Sequence, residues 1–260
     1  MNQQTCPKCG GRGLIIMNGD TARVCSCAGR VKINNLVKSS HITEELRKKT
    51  FEKFSLEYYS KTRKDPLVKI THYEIAVRSL ETCRSFVKDC LTGKNPRGLY
   101  IFGEVGSGKT HLACSIANEL IKGGMEVLFV VVSDYLEEIK YSWEHGSDYN
   151  EKEILDRARE VAVLVMDDLG AHSYSDWTKG KIYSILNRRI NNNLPTVITS
   201  NLEYHEIENY LDHRISSRIT ELCRPVLLMV DKNEHIRLQK LTEATQKQCS
   251  GPAPLHYNKK

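Results

Sequence analysis

Residues Gly103-Glu104-Val105-Gly106-Ser107-Gly108-Lys109-Thr110 match the pattern G-x-x-x-x-G-K-[ST] in full, and that pattern demands a strand before it and a helix after it. Both are legible. Gly98-Leu99-Tyr100-Ile101-Phe102 reads as a short buried strand, and the residues from His111 to Ile121 carry apolar side chains at helical spacing. Glycines let successive backbone N–H groups wrap a phosphate chain, and the helix N-terminus adds partial positive charge. Lys109 is placed to reach the β/γ-phosphates and the Thr110 hydroxyl to ligate Mg²⁺, so residues from Gly103 to His111 are expected to hold a nucleoside triphosphate such as ATP. A site of this kind calls for a carboxylate at the end of a second buried strand. Val161-Ala162-Val163-Leu164-Val165-Met166 is such a strand, ending in Asp167-Asp168-Leu169-Gly170. Asp167 would hold Mg²⁺ opposite Thr110, and Asp168 would orient or deprotonate an attacking water.

An apolar fraction of 40% supports a packed core, and no apolar run approaches the roughly 20 residues that span a bilayer. No membrane association is expected. The N-terminus lacks the apolar stretch of a signal peptide, and nine cysteines in such a chain point to metal binding or packing in a reducing cytoplasm. The net charge of +6 is uneven: residues 1–64 hold 13 Lys and Arg against 5 Asp and Glu, and the remainder hold 25 against 27. A basic first third beside a near-neutral body suggests contact with a polyanion, most simply nucleic acid.

Four of the cysteines cluster. Cys6 and Cys9 form a C-x₂-C pair followed by two glycines, and Cys25 and Cys27 form a C-x-C pair fifteen residues later. Between them, Asn18-Gly19-Asp20 reads as the turn of a hairpin that returns the second pair to the first. Four thiolates leave no open ligand position, so the expected site is structural Zn²⁺. Some thirty residues cannot otherwise bury four cysteines.

Beyond this module, residues 31–65 read as a polar, Lys-rich connector that gains structure on a partner. A helix is expected over 73–87, a strand over 126–132, a helix capped by Ser133, a loop over 141–149, a helix over 176–190, and strands over 196–200 and 224–230. Alternating strands and helices imply an α/β fold with a mostly parallel sheet covered on both faces.

The order Gly103 to Thr110, Asp167-Asp168-Leu169-Gly170, Thr199-Ser200-Asn201 and Arg214-Ile215-Ser216-Ser217-Arg218 resembles the AAA+ ATPases of the DnaC/DnaI/IstB group, over about residues 66–241. That group comprises bacterial replicative helicase loaders and ATPase helpers of certain transposases. The resemblance implies a P-loop AAA+ domain over residues 66–245, with a five-stranded sheet flanked by helices, a zinc-ribbon-like module at 1–30 before it and a flexible tail at 246–260. It implies that Asn201 is the sensor near the γ-phosphate. It also implies that Arg218, or Arg214 one helical turn earlier, is the arginine finger that enters a neighbouring subunit's site. Arg237 lies where the group often carries an arginine after the last strand. By the same resemblance the expected activity is ATP hydrolysis and the expected partners are a replicative DNA helicase, single-stranded DNA and further copies of the chain. A transposase helper and a zinc-dependent adaptor with a vestigial ATPase are the alternatives.

Overall fold

The computed structural model describes residues 6–17, 21–145, 148–171, 173–230, 236 and 239. The Asn18-Gly19-Asp20 turn, Arg237 and the 246–260 tail lie outside the described residues. The chain opens with β1 (Leu14–Ile16) and β2 (Ala22–Val24), an antiparallel pair that sets Leu14 opposite Val24. Then follow α1 (Ala28–Ser39), α2 (Glu44–Arg47), a 3₁₀ turn at Phe51–Lys53 and α3 (His72–Leu91), whose first turn is closed by a Thr71/Glu74 capping box. The body continues through β3 (Gly98–Gly103), α4 (Lys109–Lys122), β4 (Val127–Val131), α5 (Val132–His145), α6 (Asp148–Glu160) and β5 (Val163–Leu169). It ends with α7 (Asp176–Asn191), β6 (Thr196–Ser200), α8 (Tyr204–Tyr210), α9 (His213–Leu222) and β7 (Cys223–Leu228).

The five long strands pair in parallel in the order β4-β5-β6-β3-β7. Alternation along each strand sorts the core into two layers. Leu99, Ile101, Phe129, Val165 and Val197 meet α3 and α4 on one face, while Tyr100, Leu128, Leu164, Met166 and Ile198 meet α5, α7 and α9 on the other. All five strands point their C-terminal ends at one edge, where the P-loop follows β3 and the Asp167-Asp168 pair ends β5.

Four expectations are corrected. Residues 31–65 are not a free connector. Phe51, Phe54 and Tyr59 are buried in the core beneath α3 and α4, and Ile33, Leu36 and Val37 of α1 pack against the same layer. The Asn118 amide on α4 donates to the carbonyls of Leu46 and Lys49 at 3.1 and 2.8 Å, and Phe129 N–H of the edge strand β4 donates to Ser40 O at 2.8 Å. A strand edge that would otherwise be open is thereby closed by the chain leaving α1. The stretch 141–149 is also not a loop: α5 runs to His145 and α6 starts at Asp148. Val132, expected in the strand before it, opens α5, so Ser133 sits inside the helix rather than capping it.

At the N-terminal ends of the strands Arg189 is fully buried, with no carboxylate partner among the described residues. Its guanidinium donates to the carbonyls of Ala158, Val161 and Pro195 and to the Thr196 hydroxyl, at 2.7 to 3.0 Å. It therefore ties the end of α6 to the start of β6. Burial lowers its pKa to about 9, which leaves it charged at neutral pH. Removing it strands several buried acceptors at once. Arg189→Met should lower the free energy of unfolding by about 3 kcal/mol, read from urea denaturation; a loss below about 0.5 kcal/mol would contradict this role.

Candidate nucleotide site

The loop between β3 and α4 holds a shape that its glycines make possible. Gly108, the residue before α4, has φ +98°, and a side chain there would meet the Tyr59 hydroxyl at 2.9 Å and the Phe54 ring at 3.0 Å. Lys109 is buried, with its ammonium donating to Gly103 O at 2.9 Å and Glu104 O at 2.8 Å. This fixes the lysine over the mouth of the loop.

Across the cleft, β5 delivers the two carboxylates. Thr199 of β6 stands between them: its hydroxyl donates to Asp167 Oδ1 at 2.6 Å and accepts from Asp168 N–H at 2.8 Å. Asp168 adopts φ +62°, a conformation that aspartate tolerates better than most residues, and the Asn201 amide donates to its Oδ1 at 3.2 Å. Burial raises the Asp167 pKa, while hydrogen bonds from Thr199 and Thr110 and the Lys109 charge act the other way. Thr110 and Asp167 are thus in contact. A hydroxyl beside a buried carboxylate suits a hard, oxygen-preferring cation such as Mg²⁺.

These groups line a cavity of about 360 Å³ together with Val105, Gly106, Gly108 and His111. The structure therefore brings the phosphate-loop residues, Asp167, Asp168 and Asn201 to one place. Arg214 and Arg218 are elsewhere, on α9, and do not line this cavity. The sequence reading missed the opposite wall, which comes from the corrected segment: Lys49, Lys53, Phe54, Ser55 and Tyr58. Its signal was the density of aromatic residues in a Lys-rich stretch, too apolar for a solvated linker. Ile236 completes the lining, and its N–H donates to Gly106 O at 3.3 Å.

This N-terminal strap is fastened to the phosphate loop at three points. Tyr59 is 2% exposed and its hydroxyl donates to Ser107 O at 2.6 Å. His111 Nε2 lies 2.8 Å from Thr50 O, and the His111 ring meets the Phe54 ring edge-on at 5.5 Å. Burial raises the Tyr59 phenol far above its ordinary value, so it stays a donor at any physiological pH.

Two further features lie outside this cavity. The sulfurs of Cys6, Cys9, Cys25 and Cys27 all lie within 4.8 Å of one another, with Cys6 to Cys25 at 3.8 Å and Cys9 to Cys27 at 3.2 Å. A tetrahedral zinc with bonds near 2.3 Å places its sulfurs about 3.8 Å apart, so the donor set fits the ion. Gly13 N–H donates to Cys9 Sγ at 3.3 Å, and the Cys9–Cys27 hydrogen bond lowers the Cys9 pKa while it raises that of Cys27. Between α5 and α7 runs a cleft of about 500 Å³ that contains both tryptophans of the chain, Trp143 and Trp177, with ring centres 6.3 Å apart. Lys140 lines it and Lys181 sits 5.0 Å over the Trp177 ring.

Residues 73–244 match the family described as IstB-like ATP binding protein. The chain belongs to that family. Among relatives, it is 32% identical over 215 residues to the uncharacterized protein YqaM of Bacillus subtilis, covering 80% of this chain and 63% of that protein. It is 27% identical to the replicative helicase loader DnaI of the same organism, covering 78% of this chain and 64% of the relative, so it spans less than two thirds of either. The crystal structure of DnaI superposes with a TM-score of 0.59 at 29% identity, over 73% of this chain and 95% of that one. The DnaC helicase loader shares the fold, with a TM-score of 0.57 at 24% identity over 72% of this chain and 100% of that one. The IstB-like family thus supplies an ATP-binding AAA+ fold, and the parallel sheet with its P-loop is that fold.

In this family member the strap sets the geometry of the ATP cavity, which gives a direct test. Tyr59→Phe keeps the ring and removes one donor to a loop carbonyl. ATP affinity should fall about fivefold, measured by titration with a fluorescent ATP analogue; unchanged affinity would separate the strap from the loop.

Proposed function

We propose that this protein is an ATP-dependent loader that binds a replicative DNA helicase and places it on single-stranded DNA, acting in the cytoplasm at the initiation of replication. The observation that carries this reading is a continuity of structure. The strap that walls the ATP cavity leads back through α1 to Cys27, the residue before the first turn of α1 and a member of the cysteine cluster. Ile15 and Val31 pack against the cysteines, so the module is rooted on the same helix whose far end packs on the core. A loader needs such a connection, because ATP state must govern the grip on a client. Relatives named as helicase loaders support the choice of client.

The same reading assigns the roles. In this reading Cys6, Cys9, Cys25 and Cys27 hold one zinc ion that folds residues 1–30 into the helicase-gripping module, and residues 66–245 form the ATPase domain. Gly103 to His111 bind the triphosphate, with Lys109 as its cationic contact. Thr110 and Asp167 would hold Mg²⁺, which screens phosphate charge when bound. Asp168 accepts the proton of the attacking water, Asn201 orients that carboxylate and reads the γ-phosphate, and Arg218 of one subunit completes the site of the next. The Trp143–Trp177 cleft, with Lys140 and Lys181 beside it, suits single-stranded DNA: aromatic faces stack unpaired bases and ammonium groups meet the backbone.

The test is retention of a replicative helicase on immobilised single-stranded DNA. The parent with ATP should retain the helicase, and Lys109→Ala should not. Trp143→Ala combined with Trp177→Ala should weaken DNA retention at least about tenfold while leaving ATP binding intact. Helicase-independent, ATP-dependent assembly on duplex DNA would instead favour a transposase helper. Retention indifferent to Lys109 would favour an adaptor that does not use its ATPase.

A further inference from the structure

Tyr183 has no part in the site described so far. It lies on α7, partly buried against the layer that carries α9. Its ring receives two cations: the guanidinium carbons of Arg214 and Arg218 lie 5.6 and 5.9 Å from the ring centre. The two arginines are four residues apart on α9 and so share one helix face.

They are not held alike. Arg214 is 75% exposed, and its one ion pair is a 3.3 Å contact to Asp212, whose other oxygen is already engaged by Ile215 N–H at the helix start. Arg218 is 32% exposed and its Nη1 lies 2.8 Å from Glu221 Oε2. The aromatic face and the Glu221 carboxylate together confine Arg218 from two sides. Arginine carries large rotamer entropy, and a cation that must be frozen only when subunits meet contributes less than one already in place.

We propose that Tyr183 is the positioning residue for the trans-acting arginine, and that the arginine it positions is Arg218. This rests on the reading that Arg218 completes a neighbouring subunit's site. The ring face attracts the guanidinium, and the phenolic oxygen accepts a hydrogen bond from Arg218 as well. Tyr183 does not line the ATP cavity. It acts by presenting Arg218 in one orientation to the next subunit.

The test compares Tyr183→Ala, Tyr183→Phe and Arg218→Ala in the full chain, by ATP titration and steady-state hydrolysis with single-stranded DNA present. Tyr183→Ala should bind ATP as the parent does, keep its KM and lose about tenfold in kcat. Tyr183→Phe, which keeps the aromatic face, should recover to within about threefold of the parent. Arg218→Ala should lose about a thousandfold. Adding the Lys109→Ala chain, which retains Tyr183 and Arg218, should restore hydrolysis to Tyr183→Ala at mixed interfaces; a folding defect or a defect within the subunit would not be restored. Parental hydrolysis by Arg218→Ala would overturn the trans-acting reading and the Tyr183 role with it. Impaired Arg218→Ala beside a parental kcat for Tyr183→Ala would overturn the Tyr183 role alone. So would a Tyr183→Phe variant as defective as alanine, or a Tyr183→Ala defect that the Lys109→Ala chain leaves unrestored.

Discussion

A phosphate-binding loop can cradle anions only while its N–H groups face outward, so its carbonyls must be held from behind. In this chain the Tyr59 hydroxyl holds the Ser107 carbonyl at 2.6 Å, from a residue that is itself buried. Phe54 packs beside it against Gly108, where no side chain could fit. The consequences run in both directions. Forward along the chain, the loop is fixed relative to α4 and hence to β3. Backward, Asn118 of α4 holds the strap and Phe129 of β4 holds the chain leaving α1, and α1 carries the cysteine module at its start. ATP cavity, strap and module form one connected body.

The parallel sheet supplies the other half of the site. Parallel strands place all their C-terminal ends on one edge, and ligands bind there, outside the carboxyl ends of the strands. That edge brings Lys109, Asp167, Asp168 and Asn201 together although almost a hundred residues separate the first from the last. Thr199 makes the arrangement specific, because one hydroxyl reads both aspartates. The register between β5 and β6 shifts between Met166 and Leu169, at the two aspartates, while Asp167 keeps its pairing with Val131 of β4.

How much of this was legible depended on the range of the interaction. The phosphate loop, the Asp167-Asp168 pair and the strand alternation are local patterns, and the structure gathers the loop, both aspartates and Asn201 around one cavity. The cysteines could be paired across a hairpin because their spacing is short, and the structure gathers their sulfurs within 4.8 Å. The strap was misread because Phe51, Phe54 and Tyr59 follow no helical or strand period; each finds its place only against α4 and the loop. The tryptophan cleft was invisible for the same reason, with its rings 34 residues apart on helices brought together by the sheet. Lysine density hid the rest. It marked residues 31–65 as a connector that gains structure on a partner, whereas Phe51, Phe54 and Tyr59 are already buried in the core of the chain itself.

ATP bound between the phosphate loop and the N-terminal strap makes the two respond as one. Hydrogen exchange of the full chain with and without ATP tests this most directly. The account predicts that ATP slows exchange in residues 46–59 together with 103–111, with the effect continuing into α1. Slowing confined to the phosphate loop, with the strap and α1 exchanging at their ATP-free rates, would contradict it.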